Sequence, residues 1–168
     1  VGPAKMSIDT IAGILKAEVL GNKVCLEMTN PKDWRMGRIL RLKGMEIRYD
    51  FVNSGVPHAV VEADDLAACD VQTLGSGIRH HQDFAPAGTN VNFITVAGPQ
   101  SIRIRTYERG VEAETLACGT GIVGSALVAG RAGRVRPPVS VHAASGDVLT
   151  VDFTMNKEGA ERVLLIGP

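Results

Sequence analysis

Cys118 ends the run Glu114-Thr115-Leu116-Ala117 and is followed by Gly119-Thr120-Gly121 and the mostly apolar stretch from Ile122 to Val128. This pattern places a thiol where a helix begins. The first turn of a helix leaves backbone N–H groups without partners and carries positive dipole character. Such a position stabilises a thiolate and also binds an anion such as a carboxylate. Gly119 and Gly121 lack Cβ atoms and so let a ligand approach the backbone, and Thr120 adds a hydroxyl. One local site could therefore hold a base and grip an acid.

The residues that could work with this thiol lie elsewhere in the chain. Glu108 and Arg109, ten and nine residues before Cys118, end a predicted strand. An arginine there can dock a carboxylate bidentately, while the glutamate takes an ammonium or assists proton transfer. Asn90 offers donor and acceptor together, which suits an amino-acid head group. Of the four histidines, His80 and His81 read as a polar helix end and His142 as a strand surface residue. His58 alone lies in a turn-rich loop of active-site character, Asn53-Ser54-Gly55-Val56-Pro57-His58. Histidines and cysteines show no metal-ligand spacing, and the Gly119-Thr120-Gly121 loop lacks the lysine of a phosphate-binding loop. The expectation is chemistry without metal or cofactor.

The elements that must position these groups are mostly strands. Met6–Thr10, Ile14–Leu20 and Lys23–Met28 read as a meander with turns at Ala12-Gly13 and Gly21-Asn22. Val24, Leu26 and Met28 share one face, which leaves Cys25 as an incidental strand residue; Cys69, among small residues, reads as packing. Asn30-Pro31-Lys32-Asp33 suggests a boundary, and the polar segment to Gly44 reads as a connection into a second unit opening with Met45–Val52. A helix follows from about Asp70, with Val71, Leu74, Gly75 and Ile78 on one face. Further strands are expected from Gly88 to Val96, over Ser101–Tyr107, Val139–Ala143, Val148–Phe153 and Arg162–Ile166. The helix from Cys118 is apolar around most of its circumference, so it should be buried on nearly all sides. The expected fold class is α+β, a mixed or antiparallel sheet curved around a central buried helix.

The 168 residues carry 18 basic and 18 acidic side chains, a net charge of zero. That balance gives no electrostatic case for nucleic acid and favours a small-molecule substrate. Three cysteines without paired spacing argue for a reducing compartment, hence the cytoplasm. No apolar run reaches the roughly 18 to 20 residues of a membrane span, and the N-terminus shows no signal-peptide pattern.

Four segments together resemble diaminopimelate epimerases in order and register: Asn53-Ser54-Gly55-Val56-Pro57-His58-Ala59-Val60, Gly88-Thr89-Asn90-Val91-Asn92-Phe93, Tyr107-Glu108-Arg109-Gly110 and Ala117-Cys118-Gly119-Thr120-Gly121. The resemblance implies a cofactor-independent epimerase interconverting LL- and meso-diaminopimelate, in lysine and peptidoglycan precursor synthesis. It implies two similar domains, each a sheet wrapped around a helix, with one cysteine from each on opposite sides of the α-carbon. Cys118 would be the second of these. Gly119 and Thr120 would bind the reacting carboxylate, Asn90 and Arg109 the distal amino-acid group, and Glu108 the reacting ammonium, with His58 supporting proton handling.

On this resemblance residues 1–30 are the trailing strands of a first domain and 31–168 a C-terminal domain, with the last strand as the candidate to return to the first. The first domain, with the partner cysteine, would precede Val1 by on the order of 100 residues, and the chain alone is expected to be inactive. A homodimer is an open expectation. Two departures stand out: Val56 occupies a position where the family has a substrate-contacting asparagine, and the Arg109-to-Cys118 interval is one residue longer than the shortest family form. The alternatives are a racemase of another amino acid, similar to proline racemase, and a non-catalytic carboxylate-binding module.

Overall fold

A computed structural model describes residues 4–10 and 13–168. The architecture is α+β and dominated by strands. Strands β1 (Ala4–Thr10), β2 (Gly13–Leu20) and β3 (Lys23–Glu27) form the expected antiparallel meander; Ala12 of the expected Ala12-Gly13 turn lies outside the described residues. Then come β4 (Lys32–Leu42), β5 (Met45–Asn53), β6 (Pro57–Glu62), helix α1 (Val71–Arg79), β7 (Asn90–Gly98), β8 (Ser101–Glu108), the short β9 (Ala113–Thr115), helix α2 (Gly119–Arg131), β10 (Val139–His142), β11 (Val148–Met155) and β12 (Ala160–Gly167). Among the described residues they make one sheet in the order β1-β2-β3-β12-β11-β10-β8-β7-β6-β5-β4, with β9 beside β8. No helix among the described residues is long and apolar enough to cross a membrane.

Two of these pairings are parallel, β6 with β7 and β8 with β10, and each needs a crossover. Parallel neighbours cannot be joined by a tight hairpin, so α1 fills the first crossover and β9 with α2 the second. The last strand pairs antiparallel with β3, with Leu165 opposite Leu26. The meander is thereby continuous with the rest of the sheet.

Strand alternation divides the interior into two cores. Val52, Val60, Ile94, Ile102, Ile104, Val139, Val141, Val151, Phe153 and Val163 pack with α2. Phe51, Ala59 and Phe93, the sequence neighbours of Val52, Val60 and Ile94, point the other way and, with Val91, pack with Tyr49, Phe84, Tyr107, Val71 and Ile78 around α1. Helix α1 is amphipathic: it buries Val71, Gly75 and Ile78, and its N-cap Asp70 accepts the Thr73 N–H at 3.0 Å. Helix α2 is different, with every residue from Gly121 to Ala129 buried and packing against β5, β6, β7, β8, β10, β11 and β12.

The segment read as a polar connection before Gly44 is instead the eleven-residue strand β4. Trp34, Met36, Leu40 and Leu42 alternate along it, hidden among Arg35, Arg38 and Arg41. Register shifts between Lys32 and Arg38 break its ladder with β5. Gly37 at φ +62°, its N–H held by the Asp50 carboxylate, marks one bulge. The bulge redirects the strand: Trp34 and Met36 pack on the α2 core, Leu40 and Leu42 on the α1 core.

Candidate active site

The thiol of Cys118 sits at the N-cap of α2, with extended backbone angles (φ −134°, ψ 110°) and no side-chain cap bond. The first intrahelical bond runs from Ile122 N–H to Cys118 O at 2.8 Å. The amides of Gly119, Thr120 and Gly121 are therefore left over at the open end of the helix. Cys118 is half-buried, whereas Gly121 and the eight residues after it are buried. The helix start is thus where the α2 core reaches the surface.

Three strand ends surround this point. His58, at the start of β6, is fully buried, and its Nε2 lies 3.0 Å from Thr120 Oγ1. Thr120 Oγ1 lies 3.5 Å from Cys118 Sγ. On the other side of the ring, Asn92 Nδ2 lies 3.0 Å from His58 Nδ1 and Asn92 Oδ1 accepts the Thr106 hydroxyl at 2.9 Å. Ladder register explains the grouping: His58 pairs with Asn90 across β6 and β7, and Asn92 with Thr106 across β7 and β8. The loop before β6 clamps the helix start, Ser54 Oγ donating to Thr120 O at 2.8 Å. Gly121 is required where it stands, because a Cβ there would meet Asn92 Oδ1 at 2.5 Å.

Burial first, and then the positive charge of Arg109, push the His58 pKa down to about 3. The ring is neutral at physiological pH. The other two cysteines, Cys25 and Cys69, are also half-buried. Burial raises both, reinforced at Cys25 by the charges of Glu18, Asp152 and Glu27 and partly offset at Cys69 by Arg105. Cys25 lies on β3 and Cys69 ahead of α1, neither of them in the α2 start.

The other expected site residues converge from β7 and β8. Asn90 is buried, and its side chain is engaged by backbone at both ends: Oδ1 accepts the Arg109 N–H at 2.8 Å and Nδ2 donates to Pro57 O at 3.1 Å. It joins the loop before β6 to the end of β8. The Arg109 guanidinium reaches Ala87 O and Gly88 O at 3.5 Å each. Among the described residues the Glu108 carboxylate makes no hydrogen bond or ion pair, with Cys118 and His58 or with any other group. Glu112, in the interval between Arg109 and Cys118, accepts from Arg79 Nε at 3.1 Å, Gly110 N at 3.0 Å and Tyr107 OH at 3.2 Å, pinning the Arg109 turn onto α1.

Sequence reasoning did not single out Asn92, Thr106 and Ser54. A signal existed for the first: in Asn90-Val91-Asn92 the two asparagines share a strand face, and Asn92 is fully buried beneath the helix.

A family model described as diaminopimelate epimerase matches residues 51–166. The diaminopimelate epimerase of Aquifex aeolicus is 45% identical over 166 residues, covering 97% of this chain and 58% of that protein. That of Chlorobaculum tepidum is 43% identical, covering 91% of the chain and 58% of the relative. The chain thus spans under two thirds of the length of these relatives. Among solved structures, a hydroxyproline epimerase from Agrobacterium vitis with bound trans-4-hydroxy-L-proline superposes with a TM-score of 0.72 at 21% identity, covering 98% of this chain and 57% of that one. A PhzF-family phenazine biosynthesis protein of Bacillus anthracis gives 0.73 at 14% identity, covering 99% and 66%. At these identities the structural likenesses establish the fold alone.

Proposed function

The chain belongs to the diaminopimelate epimerase family, and on that premise we propose that it carries one of the two acid–base thiols of a cofactor-independent amino-acid epimerase interconverting LL- and meso-diaminopimelate. The observation that carries the reading is Cys118 at the open N-terminus of α2, within 3.5 Å of the Thr120 hydroxyl. The amides of Gly119 to Gly121 suit the reacting carboxylate and the negative charge that spreads onto it as the α-proton leaves. The Cys118 thiolate takes that proton, or its thiol returns one, without redox change.

Around this centre, the unpartnered Glu108 carboxylate suits the α-ammonium, and Arg109 with Asn90 suits the distal amino-acid end. Asn90 keeps one amide proton and one lone pair for that purpose after its two backbone bonds. His58, neutral and held on both nitrogens, supports Cys118 through Thr120. The sheet curved around α2 forms one of two such halves, with residues 31–168 as its domain and residues 1–30, joined through β12, leading to the other. The second thiol comes from that other half, since Cys25 and Cys69 are placed elsewhere. The setting is cytoplasmic lysine and peptidoglycan precursor synthesis, with a homodimer as the assembly to look for.

The test is exchange of the α-protons of diaminopimelate in heavy water, followed by NMR, with this chain alone and with the N-terminal half of a relative added. Exchange only with both halves, lost in Cys118→Ser, is expected. Absence of exchange from a folded, associated pair would overturn the assignment, and turnover by the chain alone would overturn the two-half scheme.

A further inference from the structure

We infer that Asn92 and Thr106 are positioning residues that fix the direction of a buried hydrogen-bond chain ending at Cys118, so that the Thr120 hydroxyl presents its proton to the sulfur. The chain runs Thr106, Asn92, His58, Thr120, Cys118, with links of 2.9, 3.0, 3.0 and 3.5 Å. Its first three members are buried, Thr106 at 3% exposure and Asn92 and His58 at 0%. Every link could in principle run either way, because hydroxyls and a neutral imidazole both donate and accept.

One contact breaks that symmetry. Asn92 Nδ2 also lies 3.4 Å from the backbone carbonyl of Ala59, which can only accept. A reversed amide would set its own oxygen against that carbonyl in a site without solvent, leaving buried polar groups unsatisfied. The nitrogen therefore faces both Ala59 O and His58 Nδ1, and the oxygen receives the Thr106 hydroxyl. His58 Nδ1 is then an acceptor, so the proton of the neutral ring sits on Nε2 and is donated to Thr120 Oγ1. The Thr120 hydroxyl accepts there through one of its two lone pairs, and its single hydrogen then has Cys118 Sγ, at 3.5 Å, as its remaining partner among the described residues, so we assign Thr120 as the donor to the sulfur.

The charge facing His58 supports the same state, since Arg109 and burial both oppose a second proton on the ring. On this account His58 is a fixed donor two bonds from the sulfur. The consequence is a hydrogen bond that favours the thiolate over the thiol, one charge-assisted bond's worth of reactivity. The inference rests on the epimerase reading only for its meaning in turnover, because the geometry is independent of any substrate.

The experiment uses the full chain with histidine labelled in 15N, since the two neutral tautomers have distinct long-range proton–nitrogen correlation patterns. The expected result at pH 7 is the Nε2–H tautomer of His58. Iodoacetamide alkylation of Cys118, read by peptide mass spectrometry to separate it from Cys25 and Cys69, should be about tenfold faster than in Asn92→Leu. Thr106→Val, which removes only the outermost link, should slow it by about threefold. An Nδ1–H tautomer or an imidazolium in the parent chain would overturn the inference, as would unchanged alkylation in folded Asn92→Leu. Should Asn92→Leu not fold, Thr120→Ser against Thr120→Val decides: the serine variant should keep the fast alkylation and the valine variant lose about tenfold, and equal rates would refute the inference. Failure of diaminopimelate to protect Cys118 would count against the substrate assignment and leave the tautomer result standing.

Discussion

The two faces of the sheet, followed along the same three strands, solve opposite problems. On β6, β7 and β8 the α1 face carries Ala59, Val91, Phe93 and Tyr107, while residues one step away on the α2 face are His58, Asn92 and Thr106, bonded to one another. Both faces are closed to solvent. The α1 face is stabilised by aromatic packing, with Tyr49 edge-on to Phe84 at 5.2 Å and Phe51 stacked on it at 5.8 Å. The α2 face, next to the thiol, holds polar groups that are tolerated because each satisfies the next. A period-two backbone thus supports a packing core and a hydrogen-bond chain from alternate residues.

The comparison implies that the α1 face can be damaged without altering Cys118. Phe93→Ala should produce the largest effect, a loss of about 3–5 kcal/mol in urea unfolding from a fully buried ring. At temperatures where that variant remains folded, alkylation of Cys118 should match the parent. A change in thiol reactivity as large as that of Asn92→Leu would mean that the two faces are coupled.

The next effect belongs to the α2 face and to pH. The folded His58 pKa of about 3 lies below its ordinary value of 6.5, so between those values the unfolded chain binds a proton that the folded chain refuses. Stability is unaffected by this group above about pH 6.5 and falls as the pH drops toward 3. Between pH 7 and pH 4 the contribution is about 3 kcal/mol. His58→Gln should lose less stability than the parent over that interval, whatever its stability at pH 7. Parallel curves for the two proteins would show that His58 is accessible to protons in the folded state.

Gly121→Ala should follow, at about 1–3 kcal/mol, because the new Cβ presses on Asn92 Oδ1 at 2.5 Å, within 3.3 Å of His58 Cε1. Unlike Phe93→Ala, it should also slow Cys118 alkylation, since it displaces the amide that orients the ring. Loss of stability with an unchanged thiol would place the constraint on helix packing alone.

These contrasts also show which features the sequence made legible. Cys118, His58, Asn90 and Arg109 carry chemistry in their residue types and stand beside glycines and turns, and the geometry draws them to one end of the sheet. The all-round apolar run after Cys118 announced the buried α2, and Asp70 announced α1. Strand β4 was obscured because Arg35, Arg38 and Arg41 dominate its composition and two irregularities break its period. Asn92 and Thr106 were obscured for another reason: a polar residue inside a strand looks solvent-facing until the opposite helix is known. Only the fold shows that a helix covers that face.

The smallest effect tests the comparison at the helix termini. Asp70 caps α1 by accepting the Thr73 N–H, and that bond, helped by the Thr73 side chain, holds its carboxyl below the ordinary value. Cys118 occupies the equivalent position on α2 without a side-chain cap bond. A helix that leaves its first amides open forgoes the stabilisation that a capping side chain supplies. Asp70→Ala should therefore lower the melting temperature by less than Gly121→Ala does and leave thiol reactivity unchanged. Cys118→Asp, which installs a cap on α2, should raise the melting temperature at neutral pH, because an anionic cap favours that helix end. Such a gain would show that the open start of α2 is kept at a cost in stability; a Cys118→Asp chain no more stable than the parent would show that those amides are already satisfied.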